Sequence, residues 1–233
     1  MSLLLLLGDR SYSSWSMRIG LLVERFALPV PCRFGRLYTE DFRSLLAEFA
    51  PARTVPALRL PTGAVIAESL AIAEELAARF PAAGLWPADP DIRAVARSLA
   101  AEMHAGFAAL REACPMNLRA AYRGVPVNEH VAADLARIEL LWDWARAATG
   151  RPGPWLCGDY SVADAFFAPV AMRIAGYGLP VSAGARAYVD AHLADPAFRR
   201  WRAAGLAEGP DQDFYRCDFD RVPWPEPQTV NPS

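Results

Sequence analysis

Ser11-Tyr12-Ser13-Ser14-Trp15-Ser16-Met17-Arg18-Ile19, residues 11–19, is the stretch on which the reading of this chain turns. Before it runs an apolar segment, Leu3 to Leu7, closed by Gly8-Asp9. That pattern is a short buried strand followed by a turn signal. After it Ile19, Leu22, Val23 and Phe26 recur at helical spacing. The hydrophobic period therefore changes from strand to helix within a few residues, and the serines sit where one ends and the other begins. A helix start exposes unpaired N–H groups and the positive end of its dipole, which favour an anion. Taken alone, a serine at 13, 14 or 16 is equally well a simple helix cap.

The order of elements widens the reading. A helix from about Trp15 to Ala27 leads to a strand over Val30–Leu37, a short helix over Glu40–Phe49, and two brief strands, Val55–Leu60 and Ala64–Ile66. Pro61-Thr62-Gly63 joins the last two as a hairpin. Glu68 to Phe80 follows as a helix with Leu70, Ile72, Leu76 and Phe80 apolar. The sequence βαβαββα suits a small mixed sheet with helices on both faces.

From Pro81 to Pro90 the composition becomes proline-rich. That run is the expected boundary between a domain of residues 1–82 and a helical one of residues 83–233. In the second, Ile92, Val95, Leu99, Met103, Phe107 and Leu110 make one face of a single long helix, and Val131, Leu135, Ile138, Leu141 and Ala145 that of another. Ser161 and Asp164 have the spacing of a capping box that opens a third helix, and Pro169 inside it predicts a kink. Asp195-Pro196 opens another. The tail beyond Gly209 keeps Phe214, Tyr215, Phe219 and Trp224, so it is expected to lie over the helical domain.

Composition removes several classes of function. The chain has 233 residues, a formal net charge of -2 and no lysine, its basic side chains being arginine and three histidines. Without a lysine amine there is no Schiff-base or pyridoxal-phosphate chemistry and no lysine-dependent phosphate loop. The charge balance gives no reason to expect nucleic acid or an anionic membrane as partner. Leu3 to Leu7 is too short for a membrane span and lacks the flanks of a signal peptide, which predicts a cytoplasmic protein. Cys32, Cys114, Cys157 and Cys217 are scattered, as are His104, His130 and His192, so free thiols and no metal site are expected.

Four stretches, in this order and at these intervals, carry a family resemblance: Tyr12 to Arg18, Thr54-Val55-Pro56, Glu68-Ser69, and Gly158 to Ala165. Over residues 3–205 the chain resembles the cytosolic glutathione transferases, in particular serine-type bacterial enzymes related to the zeta class. The resemblance implies a thioredoxin-like N-terminal domain, an all-helical C-terminal domain, glutathione as cosubstrate, no metal, and a homodimer. The motif of that subgroup reads Ser-Ser-Cys-x-x-Arg; here Trp15 stands at the third position.

On this resemblance Ser13 ionises the glutathione thiol, with its neighbour Ser14 and then Tyr12 as the alternatives. A free thiol ionises near pH ~8.5, and lowering that by two units requires about 2.7 kcal/mol of preference for the thiolate. One hydroxyl donor to a charged sulfur supplies roughly 1.5–3 kcal/mol, so no base is needed. Arg18, one turn beyond Ser14, either adds positive potential or forms a structural ion pair. The resemblance gives Trp15, Thr54, Val55, Pro56, Glu68 and Ser69 to glutathione. It expects a cis proline at 56, backbone pairing at Val55, and recognition of the γ-glutamyl charges at Glu68 and Ser69. Arg53 stands one position before Thr54, where the family more often has a long basic or amide side chain.

The electrophile would meet the first long helix of the second domain, at Met103, His104, Phe107 and Arg111, followed by Pro115-Met116-Asn117. Arg111 suits an acidic substrate. The function so implied is addition of the glutathione thiolate to small hydrophobic electrophiles. Its rivals are a glutathione-dependent cis–trans isomerase of maleyl-type diacids and a non-catalytic ligand-binding protein of the same fold. Glutaredoxin-type redox chemistry would need a cysteine near Ser13, and none is present.

Overall fold

The computed structural model describes residues 2–227. Met1 and residues 228–233, the far end of the expected second domain, lie outside the described residues. The first domain is a four-stranded sheet in the order β2-β1-β3-β4. Strand β1 (Leu4–Leu7) runs parallel to β2 (Cys32–Phe34) and antiparallel to β3 (Ala57–Arg59), which pairs in turn with β4 (Val65–Ala67). Leu5 to Leu7 are fully buried, as a run without alternation requires when both faces of a central strand are covered. Helices α1 (Ser14–Arg25) and α3 (Ser69–Arg79) lie on one face, facing the main core. Helix α2 (Glu40–Ala47) covers the other, where Phe42 and Phe49 pack with Leu6, Val55 and Ala57.

The second strand is shorter than the apolar run Val30–Leu37 suggests. The register with β1 covers Cys32 to Phe34, and the flanking bonds, Leu5 N to Pro31 O at 2.9 Å and Gly35 N to Leu7 O at 3.0 Å, close the ladder where β1 itself ends at Leu7.

The remainder is helical: α4 (Pro90–Ala105), α5 (Ala108–Ala113), α6 (Glu129–Thr149), α7 (Val162–Gly176), α8 (Ala183–Ala194) and α9 (Pro196–Ala207). Every residue of α7 is buried, so it is the axis of this half, and α1 packs along it. The Ser161/Asp164 capping box is present, and α7 runs on through Pro169. Asp195 caps α9 ahead of Pro196.

The single helix expected over Ile92–Leu110 is two. Gly106 is extended and Phe107 adopts φ 61°, after which the Asp134 carboxylate of α6 accepts from Leu110 N at 2.9 Å and starts α5. The apolar period crosses this break, because Met103 before it and Leu110 after it are both buried.

A two-stranded ribbon, β5 (Ala121–Arg123) with β6 (Asp220–Val222), ties the tail to the helical half. Arg119 fixes the preceding segment by donating to the carbonyls of Gly205, Glu208 and Gly209 and pairing with Asp211 at 2.6 Å. No helix among the described residues is long and apolar enough to cross a membrane. All four cysteines are free.

Candidate functional site

The turn after β1 delivers the serines. Ser13 N donates to Asp9 O at 2.9 Å, and Ser13, in extended backbone, is the N-cap of α1. Its Oγ accepts from Ser16 N at 3.2 Å, and its hydroxyl donates to Ser16 Oγ at 2.8 Å. Ser16 Oγ also accepts from Gly8 N at 2.9 Å, which locks the end of β1 to the start of α1. Ser14 is the first residue of the helix; its Oγ accepts from Arg173 Nη2 at 3.4 Å. Ser13 therefore spends its hydrogen inside the fold, whereas Ser14 only accepts. Tyr12 is held differently: its hydroxyl accepts from Gln212 N at 3.1 Å, and burial pushes its pKa up.

Both serines line a cavity of about 630 Å³ between the two halves of the chain. Four arginines, Arg43, Arg53, Arg111 and Arg173, reach its walls, and no carboxylate does among the described residues. Tyr38, Phe214 and Tyr215 form its lip.

A second cavity of about 260 Å³ is lined by Trp15, Thr54, Val55, Pro56, Glu68 and Ser69. These are the six residues that sequence comparison gave to glutathione, and the fold brings all of them together. Trp15, Thr54 and Val55 belong to both cavities. The Val55–Pro56 peptide is cis. Glu68, at φ 71°, stands outside the helix start with no capping bond, and its carboxylate lies 3.3 Å from His104 Nε2. Ser69 Oγ is 3.5 Å from Nδ1 of the same ring.

The residues expected to meet an electrophile separate. Arg111 lines the larger cavity, with Pro115 and Met116. Met103 and Phe107 do not: both are buried in the main core, where α4 packs against α6 and α7. His104 sits instead against Glu68 and Ser69, at the start of α3. Its pKa is lowered, chiefly by burial and then by Arg18.

Trp15 occupies a central place. Its indole is in cation–π contact with two guanidiniums, Arg18 Cζ at 4.1 Å and Arg111 Cζ at 4.3 Å from ring centroids, and it meets His104 edge-on. Arg18 is buried, and its Nε and Nη1 have no partner among the described residues. Burial, then Arg111 and Arg173, hold it well below the usual arginine range. Arg18 thus makes no ion pair among the described residues; it packs against the tryptophan.

Arg173 escaped the sequence reading. Its one signal is that it is the only charged residue between Ala165 and Gly176 in an otherwise apolar helix. Phe214 and Tyr215 were legible only as residues that hold the tail down, and Tyr38 carried no signal, since loop and tail meet only in the folded chain. No group of three or more His, Cys, Asp or Glu residues among those described is placed to hold a metal ion.

Residues 12–79 match the family model described as glutathione S-transferase, N-terminal domain. The chain is 29% identical, over 74% of its length and 79% of the relative's, to a probable maleylacetoacetate isomerase of Caenorhabditis elegans. It is 28% identical to the maleylacetoacetate isomerase of Pseudomonas aeruginosa over 86% of this chain and 96% of that one. Among solved structures it superposes on a glutathione transferase homologue from Burkholderia with bound glutathione. The TM-score is 0.59 and the identity 24%, covering 90% of this chain and all of the other.

Proposed function

We propose that this chain, which belongs to the cytosolic glutathione transferase family and is related to its zeta class, binds glutathione and adds its thiolate to a small hydrophobic electrophile. One observation carries the reading: two serines at the start of α1 open into a cavity continuous in its lining with a smaller one built from Trp15, Thr54, Val55, Pro56, Glu68 and Ser69. Glutathione is an extended tripeptide with a charged group at each end and a thiol between them, and the lining offers matching groups. Glu68 suits its ammonium, and Ser69 with the N–H groups that open α3 suits the adjoining carboxylate. Arg43 and Arg53, at the other end, suit the glycyl carboxylate. The backbone of Val55 pairs with the cysteinyl unit.

The thiol then falls at the start of α1. Ser14 donates its hydrogen to the sulfur without disturbing the fold; Ser13 does so only on releasing Ser16. The positive end of α1 and the nearby guanidiniums favour the thiolate over the thiol. Tyr38, Tyr215 and Met116 give an electrophile an apolar surface beside that sulfur. A homodimer working in the cytoplasm belongs to the same proposal, and sedimentation at micromolar concentration tests the dimer.

A second reading has its own observation. Arginines, with no carboxylate among the described residues, line the larger cavity, a lining that suits a diacid, and relatives of this chain are named maleylacetoacetate isomerases. Isomerisation returns glutathione unchanged, whereas conjugation consumes its thiol. Counting free thiol during turnover of a halogenated aromatic and of a maleyl-type diacid decides between them. Loss of thiol with the first supports the transferase. Diacid turnover at constant thiol, with the aromatic inert, replaces it by the isomerase. Arg111→Ala should weaken acidic substrates more than neutral ones.

A further inference from the structure

We propose that Arg173 is a positioning residue for the thiol chemistry, a fixed buried cation that orients Ser14 and holds the sulfur of bound glutathione as its thiolate. The inference rests on the glutathione reading above and adds a residue from the opposite domain to it.

The guanidinium is built into place. Nε donates to Cys114 O at 2.8 Å and Nη1 to Pro169 O at 3.2 Å, which leaves Nη2 directed at Ser14 Oγ. Arg173 is buried to 4% exposure and still lines the larger cavity. Its partners are two carbonyls and a hydroxyl, all neutral, and it forms no ion pair among the described residues. Ordinary buried arginines are paired, because an uncompensated charge away from water is costly. A cation kept in this state, beside a cavity and against the hydroxyl that faces the sulfur, fits an anionic occupant. The anion that reaches Ser14 in the glutathione complex is the thiolate.

The other groups around it do not supply the missing charge. Arg18 on α1 and Arg111 on α5 are arginines as well and bring no negative charge. Cys114 is pushed up to about 11 by burial, and burial raises Tyr177 and Tyr215 as well, so all three are neutral near pH 7. Losing its proton therefore makes the sulfur the counter-ion of this cluster. The proton itself leaves to solvent, and no base is required.

The test is a pH titration of the ultraviolet thiolate absorbance of glutathione bound to wild type, Arg173→Gln, Arg173→Lys and Arg173→Met. Calorimetric binding of S-methylglutathione, a thioether that makes the same contacts and cannot ionise, is measured in parallel. Removing the charge should raise the apparent thiol pKa by roughly one pH unit or more, as expected for loss of an adjacent cation. Lysine should restore most of it, and S-methylglutathione should bind all four proteins within about twofold. Methionine refills the space in an apolar helix, which keeps the test available should the glutamine variant not fold. An unchanged thiol pKa in the uncharged variants overturns the inference. So does equal weakening of S-methylglutathione, which is what a merely structural role gives. A wild type that binds neither ligand overturns the glutathione reading, and this inference falls with it.

Discussion

The ring of Tyr12 is stacked on that of Tyr215, their centroids 4.5 Å apart and their planes within 20°. The pair joins the end of the first strand to the C-terminal segment, and Gln212 completes the clasp by donating to the Tyr12 hydroxyl and to Asp9. Tyr215→Ala removes a buried aromatic ring, for which the loss is roughly 3 kcal/mol. For a chain of this size that corresponds to a melting temperature lower by about 5–10 °C. The wall beside the serines opens at the same time, so KM for the electrophile should rise more than KM for glutathione. An unshifted melting temperature would mean that the clasp carries no stability.

Ser13 and Ser14 should separate in two measurements. Ser13→Ala removes the N-cap of α1 and a bond to Ser16, and should lower stability by about 1 kcal/mol in a urea titration. Ser14→Ala leaves the cap intact and should lose the larger share of the bound thiolate. Loss of one hydroxyl donor to a charged sulfur corresponds to roughly a 10–100-fold fall in kcat/KM. Tyr12→Phe should keep the thiolate, since its hydroxyl oxygen is held by the Gln212 amide. Thiolate lost in Ser13→Ala alone would return the role to Ser13.

His192 makes stability depend on pH. It is buried among Trp155, Tyr160 and Tyr188, its Nε2 has no partner among the described residues, and burial lowers its pKa to about 3. In the unfolded chain a histidine titrates near pH ~6.5. The folded state therefore binds fewer protons between those values. Its contribution is complete above about pH 6.5 and is lost progressively as pH falls towards 3, at up to about 1.4 kcal/mol per pH unit. Replacing His192 by Phe should flatten that slope in urea titrations between pH 7 and 5, and an identical slope in the variant would assign the acid sensitivity elsewhere.

Gly20 is where α9 meets α1. A Cβ built there would stand 2.0–3.0 Å from ring atoms of Trp201, whose Nε1 is tied to Arg10 O at 3.0 Å. Alanine gains about 1 kcal/mol in helix propensity over glycine. Displacing an anchored indole typically costs 1–3 kcal/mol or more, so the clash should win. Gly20→Ala should lower the urea midpoint with an unchanged slope; a raised midpoint would show that Trp201 moves aside freely.

Much of the site was legible because it is local. The change of period around residues 11–19, the cap at Ser13, the proline at 56 and the pair Glu68-Ser69 are each written within a few residues, and the six residues expected around glutathione do share one cavity. The electrophile side was not legible in the same way. Met103 and Phe107 have the period of a helix face, and periodicity reports that a face is buried without saying whether core or cavity covers it. Pro115 and Met116, just beyond that helix, do reach the cavity.

The sequence by itself determined the elements, most of their caps and the division into a mixed-sheet half and a helical half, because these follow from hydrogen bonding and hydrophobic period over one or two turns. Only the tertiary structure decided which side chains meet. Asp134 holds the start of α5 from 24 residues away, and His104 reaches Glu68 and Ser69 across 35 residues of chain from Ser69. Arg173 comes to Ser14 across 159. Such contacts are set by how α7 packs against α1 and how the tail lies over both. The free energy of that packing belongs to pairs of faces, and no single stretch of the chain contains it.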